Sequence, residues 1–155
     1  MAGTPTSPCE LCDGDGGATI FRAAKWRVVR VEGADGDAFP GFCRVVWNEH
    51  IRELTDLGAA DRQAFMDAVF RVEAALRASL SPHKMNVASL GNLTPHLHWH
   101  VIPRFVDDPA FPRPIWAIDH SALTADSSLA TLAGSRSGNN SGSWIDAVRR
   151  ALEST

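Results

Sequence analysis

Three histidines alternate with apolar residues over residues 96–104, and this alternation restricts the segment to an extended strand. The segment reads His-Leu-His-Trp-His-Val-Ile-Pro-Arg. Because successive side chains of a strand point to opposite faces, His96, His98 and His100 are expected to share one face, about 6–7 Å apart per step. Histidine titrates near neutral pH, so such a row suits a nucleophile, a proton carrier or a metal ligand. The alternative is a solvated strand face that happens to use histidine.

The composition is that of one domain of ordinary size. A chain of 155 residues with 45% hydrophobic residues can bury a core without disulfides. It has no apolar run long enough to cross a membrane, and its first eight residues do not resemble a secretory signal. The net charge is −3 and the basic residues are scattered, so neither nucleic acid nor a membrane is an expected partner. Three cysteines without an export signal predict reduced thiols and a cytoplasmic location.

Residue patterns predict an α+β fold with an antiparallel sheet of about five strands, one long helix and a C-terminal helix. The long helix is expected over residues 59–80, where apolar residues recur at steps of three and four. Strands are predicted at residues 19–21, 26–32, 41–47, 84–90 and 96–103. A turn is predicted at 33–37, a small-residue loop at 134–143 and an amphipathic helix at 144–152. The chain is divided into an N-terminal arm (1–17), a central domain (18–105) and a C-terminal extension (106–155) packed on that domain.

Cys9 and Cys12 form a Cys-x-x-Cys pair in the N-terminal arm. This spacing brings two thiolates within reach of one tetrahedral zinc ion, but two ligands do not complete a site. Redox pairs share the spacing and require a helix after the first cysteine. The Gly- and Asp-rich residues 13–17 argue against a helix there. A candidate for a further ligand, His50, lies just after the strand that ends at Trp47.

Residues 96–104 resemble the signature of the histidine triad (HIT) family, in which three histidines alternate with apolar residues, here followed by Pro103-Arg104. The resemblance covers approximately residues 9–105 and implies a HIT-like domain over 18–105. It also implies a homodimer and a nucleotidyl hydrolase or transferase similar to diadenosine polyphosphate hydrolases. Such an enzyme acts at the α-phosphate of dinucleoside polyphosphates or nucleoside phosphoramidates through a nucleotidyl-histidine intermediate. No organic cofactor is implied.

The resemblance also implies a role for individual residues. The middle histidine, His98, is the expected nucleophile, and His100 is expected to bind the phosphate and to help protonate the leaving group. Zinc-binding relatives use a Cys-x-x-Cys pair, the histidine after the strand and the first triad histidine. In this chain those ligands are Cys9, Cys12, His50 and His96. A closed site of two cysteines and two histidines would be structural rather than catalytic; the alternative is a pair of free thiols.

Asn86, Asn92 and Thr94 are candidate substrate-binding residues, because they are expected on the neighbouring strand and the hairpin loop. Ordinary turn and surface roles are the alternative. The family's phosphate-binding loop is shortened here to residues 91–95. Arg104 is expected either to neutralise a distal phosphate or to be a solvated strand end.

Two other functions remain open. One is a metallohydrolase with a catalytic zinc on the three triad histidines and a carboxylate, although the outer Cα atoms would be about 13 Å apart. The other is a non-catalytic, zinc-stapled module that binds nucleotides. The Pro-rich segment 107–116 is expected to pack over the sheet, with Phe111 and Trp116 in packing roles rather than stacked on a base.

Overall fold

The computed structural model describes residues 8–119, 121 and 141–154. The strands are β1 (Ala18–Arg22), β2 (Trp26–Arg30), β3 (Cys43–Trp47), β4 (Lys84–Ala88) and β5 (His98–Arg104). The helices are α1 (Glu10–Asp13), α2 (Gly33–Ala38), α3 (Ala59–Leu80) and α4 (Ser141–Glu153), with 3-10 turns at Leu54–Asp56 and Ile115–Ala117. Most of the loop predicted at 134–143 lies outside the described residues. Among the described helices, none is long and apolar enough to cross a membrane.

The five strands form one antiparallel sheet in the order β1-β2-β3-β5-β4. Helix α3 connects β3 to β4, and β5 then returns between them as the second strand of a hairpin. The predicted α+β fold with an antiparallel sheet is therefore confirmed. Strand β5 is central, with hydrogen-bonded neighbours on both sides, and it carries two of the three triad histidines.

Helix α3 begins and ends where its apolar periodicity predicts. Ser81, in the left-handed conformation at φ 47°, ends the helix, and Pro82 follows it. The buried face of α3 packs with α4 on one face of the sheet. Side chains in this core include Phe65, Val69, Val72, Leu76, Trp144, Val148 and Leu152.

The turn predicted at residues 33–37 is wrong, because these residues begin helix α2. Asp-Gly sequences usually favour turns, but here Gly36 serves a close approach: a Cβ atom at this position would overlap the carbonyl oxygen of Val31. The helix leads into Phe39, which is 1% exposed. Burial of this ring in a second apolar cluster favours one compact turn of helix over an open loop.

The sheet face opposite α3 carries the triad histidines. Side chains of β5 alternate, so Val101 faces α3 while His98 and His100 face the other side. This second face is covered by the N-terminal arm and by residues 105–119. The apolar cluster on it contains Val31, Phe39, Phe42, Ile102, Ala110 and Ile115.

Candidate active site and metal-ligand cluster

His98 and His100 form a buried pair on β5. Each is 6% exposed, their Nε2 atoms are 3.1 Å apart, and their ring centroids are 4.7 Å apart. Phe42 and Trp116 enclose His100, with ring centroids at 5.7 and 4.9 Å. A solvated strand face is therefore the wrong interpretation of the alternation.

Hydrogen bonding fixes which nitrogen of each imidazole carries the proton. The Nδ1 atom of His98 lies 2.6 Å from the carbonyl oxygen of His96. Because a carbonyl only accepts, Nδ1 of His98 carries the proton and its Nε2 has a free lone pair. Nε2 of His100 must then donate to that lone pair. The remaining nitrogen, Nδ1 of His100, is buried without a hydrogen-bond partner in the part of the chain that the structure describes.

The electrostatic setting keeps both rings neutral. Burial lowers the pKa of His98, and the charge of Arg44 lowers it further. Burial, together with the neighbouring His98 and Arg44, lowers the pKa of His100 to about 3. A neutral imidazole with a bare Nε2 is the form that can act as a nucleophile. The pair therefore presents one lone pair and one N–H at the same point.

His96 keeps the alternation of the segment: Leu97 is buried in the core on the α3 side, and His96 faces the N-terminal arm on the side of His98 and His100. It precedes β5, and its Nε2 donates to the carbonyl oxygen of Trp47 at 2.7 Å. This bond turns the unprotonated Nδ1 toward the Sγ atoms of Cys9 and Cys12, each 3.4 Å away. A histidine whose second nitrogen donates to a carbonyl is oriented as metal-ligating histidines usually are.

A cluster of four side chains could hold a metal ion beside the histidine pair. His50 Nδ1 lies 3.3 Å from Cys12 Sγ. The four ligand atoms, from Cys9, Cys12, His50 and His96, lie within 4.8 Å of one another. Bond lengths of 2.0–2.3 Å around a tetrahedral ion imply edges of about 3.5 Å, so the spacing and the sulfur and nitrogen donors fit such an ion.

The N-terminal arm approaches the sheet through a short helix that the sequence analysis did not predict. Residues 10–13 form one helical turn after Cys9. The prediction that no helix follows Cys9 is therefore wrong for these four residues. Leu11 packs on Val46. Arg27, 3% exposed, donates to the carbonyl oxygens of Leu11, Gly14 and Asp15. The sequence marked neither Leu11 nor Arg27, because each acquires its role only through contacts distant in the chain.

The candidate substrate-binding residues lie in three different settings. The side-chain oxygen of Asn86, on β4, accepts a hydrogen bond from Arg104 at 2.7 Å. Asn92 is exposed in the loop before β5. The hydroxyl of Thr94 donates to the carboxylate of Glu10 at 2.8 Å, which joins the loop to the arm.

Arg104 matches neither role expected for it. It is 2% exposed and donates to both carboxylate oxygens of Asp108, at 2.8 and 3.0 Å. It also donates to the side chain of Asn86 and to the carbonyl oxygen of Arg113, and it lies over the rings of Phe39 and Phe111. The guanidinium therefore fastens the segment after β5 to the sheet instead of facing solvent or a phosphate.

A HIT domain family model matches residues 35–107, a span that contains the entire histidine segment. The chain therefore contains a HIT domain. This match supports nucleotide binding and hydrolase-type activity in general terms. Among curated proteins, none matches the sequence.

Solved structures of histidine triad proteins share the fold. One from Bradyrhizobium japonicum is 26% identical, with a TM-score of 0.64 over 89% of this chain and 92% of its own. One from Marinobacter aquaeolei is 23% identical, with a TM-score of 0.62 over 79% and 94%. One from Sinorhizobium meliloti is 21% identical, with a TM-score of 0.62 over 81% and 95%. The last two comparisons establish the fold alone.

Proposed function

We propose that this HIT-domain protein is a nucleotidyl hydrolase or transferase that acts at the α-phosphate of adenine nucleotides. The substrates would be dinucleoside polyphosphates or nucleoside phosphoramidates. The observation that carries the proposal is the fixed tautomer of His98, whose Nδ1 donates to the His96 carbonyl and whose unprotonated Nε2 faces Nε2–H of His100.

His98 would act as the nucleophile in two displacements. In the first, its Nε2 lone pair forms a bond to the α-phosphorus while the bond from phosphorus to the bridging oxygen or nitrogen breaks. The leaving group departs with that electron pair and takes a proton from solvent. In the second, water attacks phosphorus, the electron pair of the Nε2–P bond returns to His98, and the water proton passes to solvent or phosphate. The product is a nucleoside monophosphate.

His100 would stabilise charge on the substrate through its Nε2–H. In the free protein this N–H points at Nε2 of His98, so it lies beside the position that the phosphorus must occupy. Burial lowers the pKa of His100 to about 3 in the free protein, so its ring is neutral there and acts as a hydrogen-bond donor. Its part is therefore to hold the phosphate or the bridging atom, while the proton for the leaving group comes from solvent.

The metal-ligand cluster would hold zinc in a structural role. Two cysteines and two histidines suit zinc and leave no open position for substrate. The pKa of the Cys12 thiol is raised to about 11, first by desolvation and then by its neighbour Cys9, so metal binding must displace a proton there. The ion would fasten the N-terminal arm to the residue that precedes β5. A catalytic zinc on all three triad histidines finds no support, because His96 points to the cysteines.

The protein would form a homodimer through the β4 edge of the sheet. Strand β4 has one neighbour in the described sheet, β5. Apolar side chains are exposed along this edge: Val87 is 41%, Leu90 50% and Phe70, on α3, 58% exposed. An exposed apolar sheet edge favours pairing with another chain, and the resemblance to the HIT family favours a second copy.

Trapping of the covalent intermediate tests the catalytic proposal. Metal-replete wild type and the His98→Asn variant are mixed with diadenosine polyphosphates or AMP phosphoramidates, quenched within one turnover and weighed intact. We expect an added mass of one AMP on wild type and none on the variant, with equal melting temperatures and metal contents. AMP binding without an adduct or product in wild type would instead favour the non-catalytic nucleotide-binding module.

A further inference from the structure

Arg44 lies directly opposite His100 in the sheet. The two residues are Cα partners in the antiparallel pairing of β3 and β5. Directly opposite residues of such a pair project from the same face, with Cβ atoms about 4.5–5.5 Å apart. The guanidinium of Arg44 therefore leaves the sheet on the face of the histidine pair, and its charge acts on both rings.

The contacts of Arg44 leave much of its hydrogen-bonding capacity unused. Its Nη1 donates to the carbonyl oxygen of Gly16 at 3.0 Å, and its guanidinium lies 6.0 Å from the ring centroid of Phe42. Its Nε is buried and has no partner among the described residues, and no described carboxylate lies within ion-pair distance. A buried guanidinium N–H without an acceptor is costly, and an anionic oxygen would remove that cost.

The other three arginines that project from this face are paired by comparison, and Arg22, the Cα partner of Arg27, forms an ion pair with Asp15. Arg27 donates to three carbonyl oxygens and to Asn48. Arg104 is paired in bidentate fashion with Asp108. Within the described residues of this face, Arg44 is thus the arginine with donors available to a ligand.

Arg44 also lines a cavity of about 530 Å³ between the N-terminal arm and the end of β2. Glycine residues and carboxylates make up much of the rest of its lining, which includes Glu10, Gly16, Gly17, Glu32 and Asp35. These carboxylates repel anions, and neither His98 nor His100 lines the cavity, so a phosphate is expected outside it, on the side of Arg44 that faces the histidine pair.

We propose that Arg44 binds the phosphate group whose phosphorus His98 attacks, supplying the positive charge that the shortened loop at 91–95 does not. This inference rests on the proposed function. Arg44 is accordingly a substrate-binding residue that selects a phosphorylated nucleoside over the bare nucleoside. A fork of N–H donors beside a phosphoryl group suits arginine better than lysine.

Calorimetric titration of metal-replete protein with AMP and with adenosine tests the inference. Arg44→Met should weaken AMP binding by about 10- to 100-fold, the loss expected for charge-assisted hydrogen bonds, and change adenosine binding less than about twofold. The AMP affinity of Arg44→Lys should lie between that of Arg44→Met and that of wild type. The matched control is Arg77→Met on α3, which removes an arginine that is 67% exposed and paired with Glu73; it should bind both ligands like wild type.

Each possible outcome bears on the inference separately from the catalytic proposal. Equal losses for AMP and adenosine in Arg44→Met would show a merely structural role and overturn it. Wild type that binds AMP no better than adenosine would overturn it whether or not an adduct forms on His98. If AMP selectivity depends on Arg44 but wild type forms no adduct, the inference stands and the covalent mechanism falls.

Discussion

Replacing Asp108 with asparagine should destabilise the protein more than any surface charge change. The Asp108 side chain is 3% exposed and that of Arg104 2%. The Asp108 carboxylate accepts from Nε and Nη2 of Arg104 and from the backbone N–H groups of Phe105, Ala110 and Phe111. Asparagine keeps the shape but leaves the buried cation of Arg104 without its counter-charge. Removal of one partner from a buried ion pair costs about 3–5 kcal/mol.

This loss converts to a melting temperature lower by about 6–20 °C, at about 2–4 °C per kcal/mol for a chain of this size. Thermal unfolding of the metal-replete protein at pH 7, followed by circular dichroism, measures it. The matched control is Asp67→Asn, which removes an exposed partner of Arg71 in an ion pair of the same 2.8 Å separation. Because exposed pairs contribute about 0–1 kcal/mol, the control should melt within about 4 °C of wild type.

The pH dependence of the same comparison has a definite sign. Burial alone would raise the pKa of Asp108, but hydrogen bonds from Arg104 and from the backbone N–H groups hold it below its ordinary value of 3.8. The stabilisation is therefore complete above the ordinary value and is lost as the pH falls through the lowered value. The difference in melting temperature between wild type and Asp108→Asn should become smaller as the pH falls through that range. A gap below 2 °C at pH 7, or one that widens on acidification, would refute the reasoning.

Two further predictions concern the metal cluster and the dimer. His50→Ala should release the bound metal and lower the melting temperature. The control His83→Ala alters an exposed histidine outside the cluster and should do neither. Equal metal content in the two variants, measured by elemental analysis, would remove His50 from the ligand set. Val87→Lys places a charge on the exposed β4 edge and should shift the molar mass measured by light scattering from dimer toward monomer. The control Val106→Lys alters another exposed valine, outside β4, and should leave the mass unchanged; an unchanged mass in Val87→Lys would exclude this edge as the interface.

Local periodicity was sufficient to predict the elements whose faces are set by burial. Helix α3 has the predicted bounds because its apolar stripe and the Ser81-Pro82 stop act within a few residues. The five strands follow from β-branched and alternating runs, although their ends differ by a few residues. Helix α2 was missed because its Gly36 suggested a turn. The glycine is instead required by the close approach of the Val31 backbone, which the local sequence pattern does not reveal.

The positions of the charged residues depend on partners that periodicity does not encode. Spacing predicts the face of His96 but does not predict its bond to the Trp47 carbonyl, which orients it toward two cysteines more than 80 residues away in sequence. Arg104 and Asp108 are only four residues apart, yet nothing in a non-helical segment predicts that their side chains meet. The hydrogen-bond and ion-pair partners of such polar groups are seen only in the folded structure.

Three arginines of the histidine face, Arg27, Arg44 and Arg104, differ in how their charge is balanced, and this difference shapes the site. Carbonyl oxygens of the arm satisfy the donors of Arg27 and Asp15 balances its charge at 3.8 Å, while the carboxylate of Asp108 balances that of Arg104. Arg44 has no such neutralising partner among the described residues, and its charge contributes to the lowered pKa of both His98 and His100. A nucleophilic imidazole must remain unprotonated, and the phosphate that it attacks must be held by positive charge. One uncompensated arginine beside the pair would meet both requirements, because the same charge that disfavours imidazolium attracts the anion.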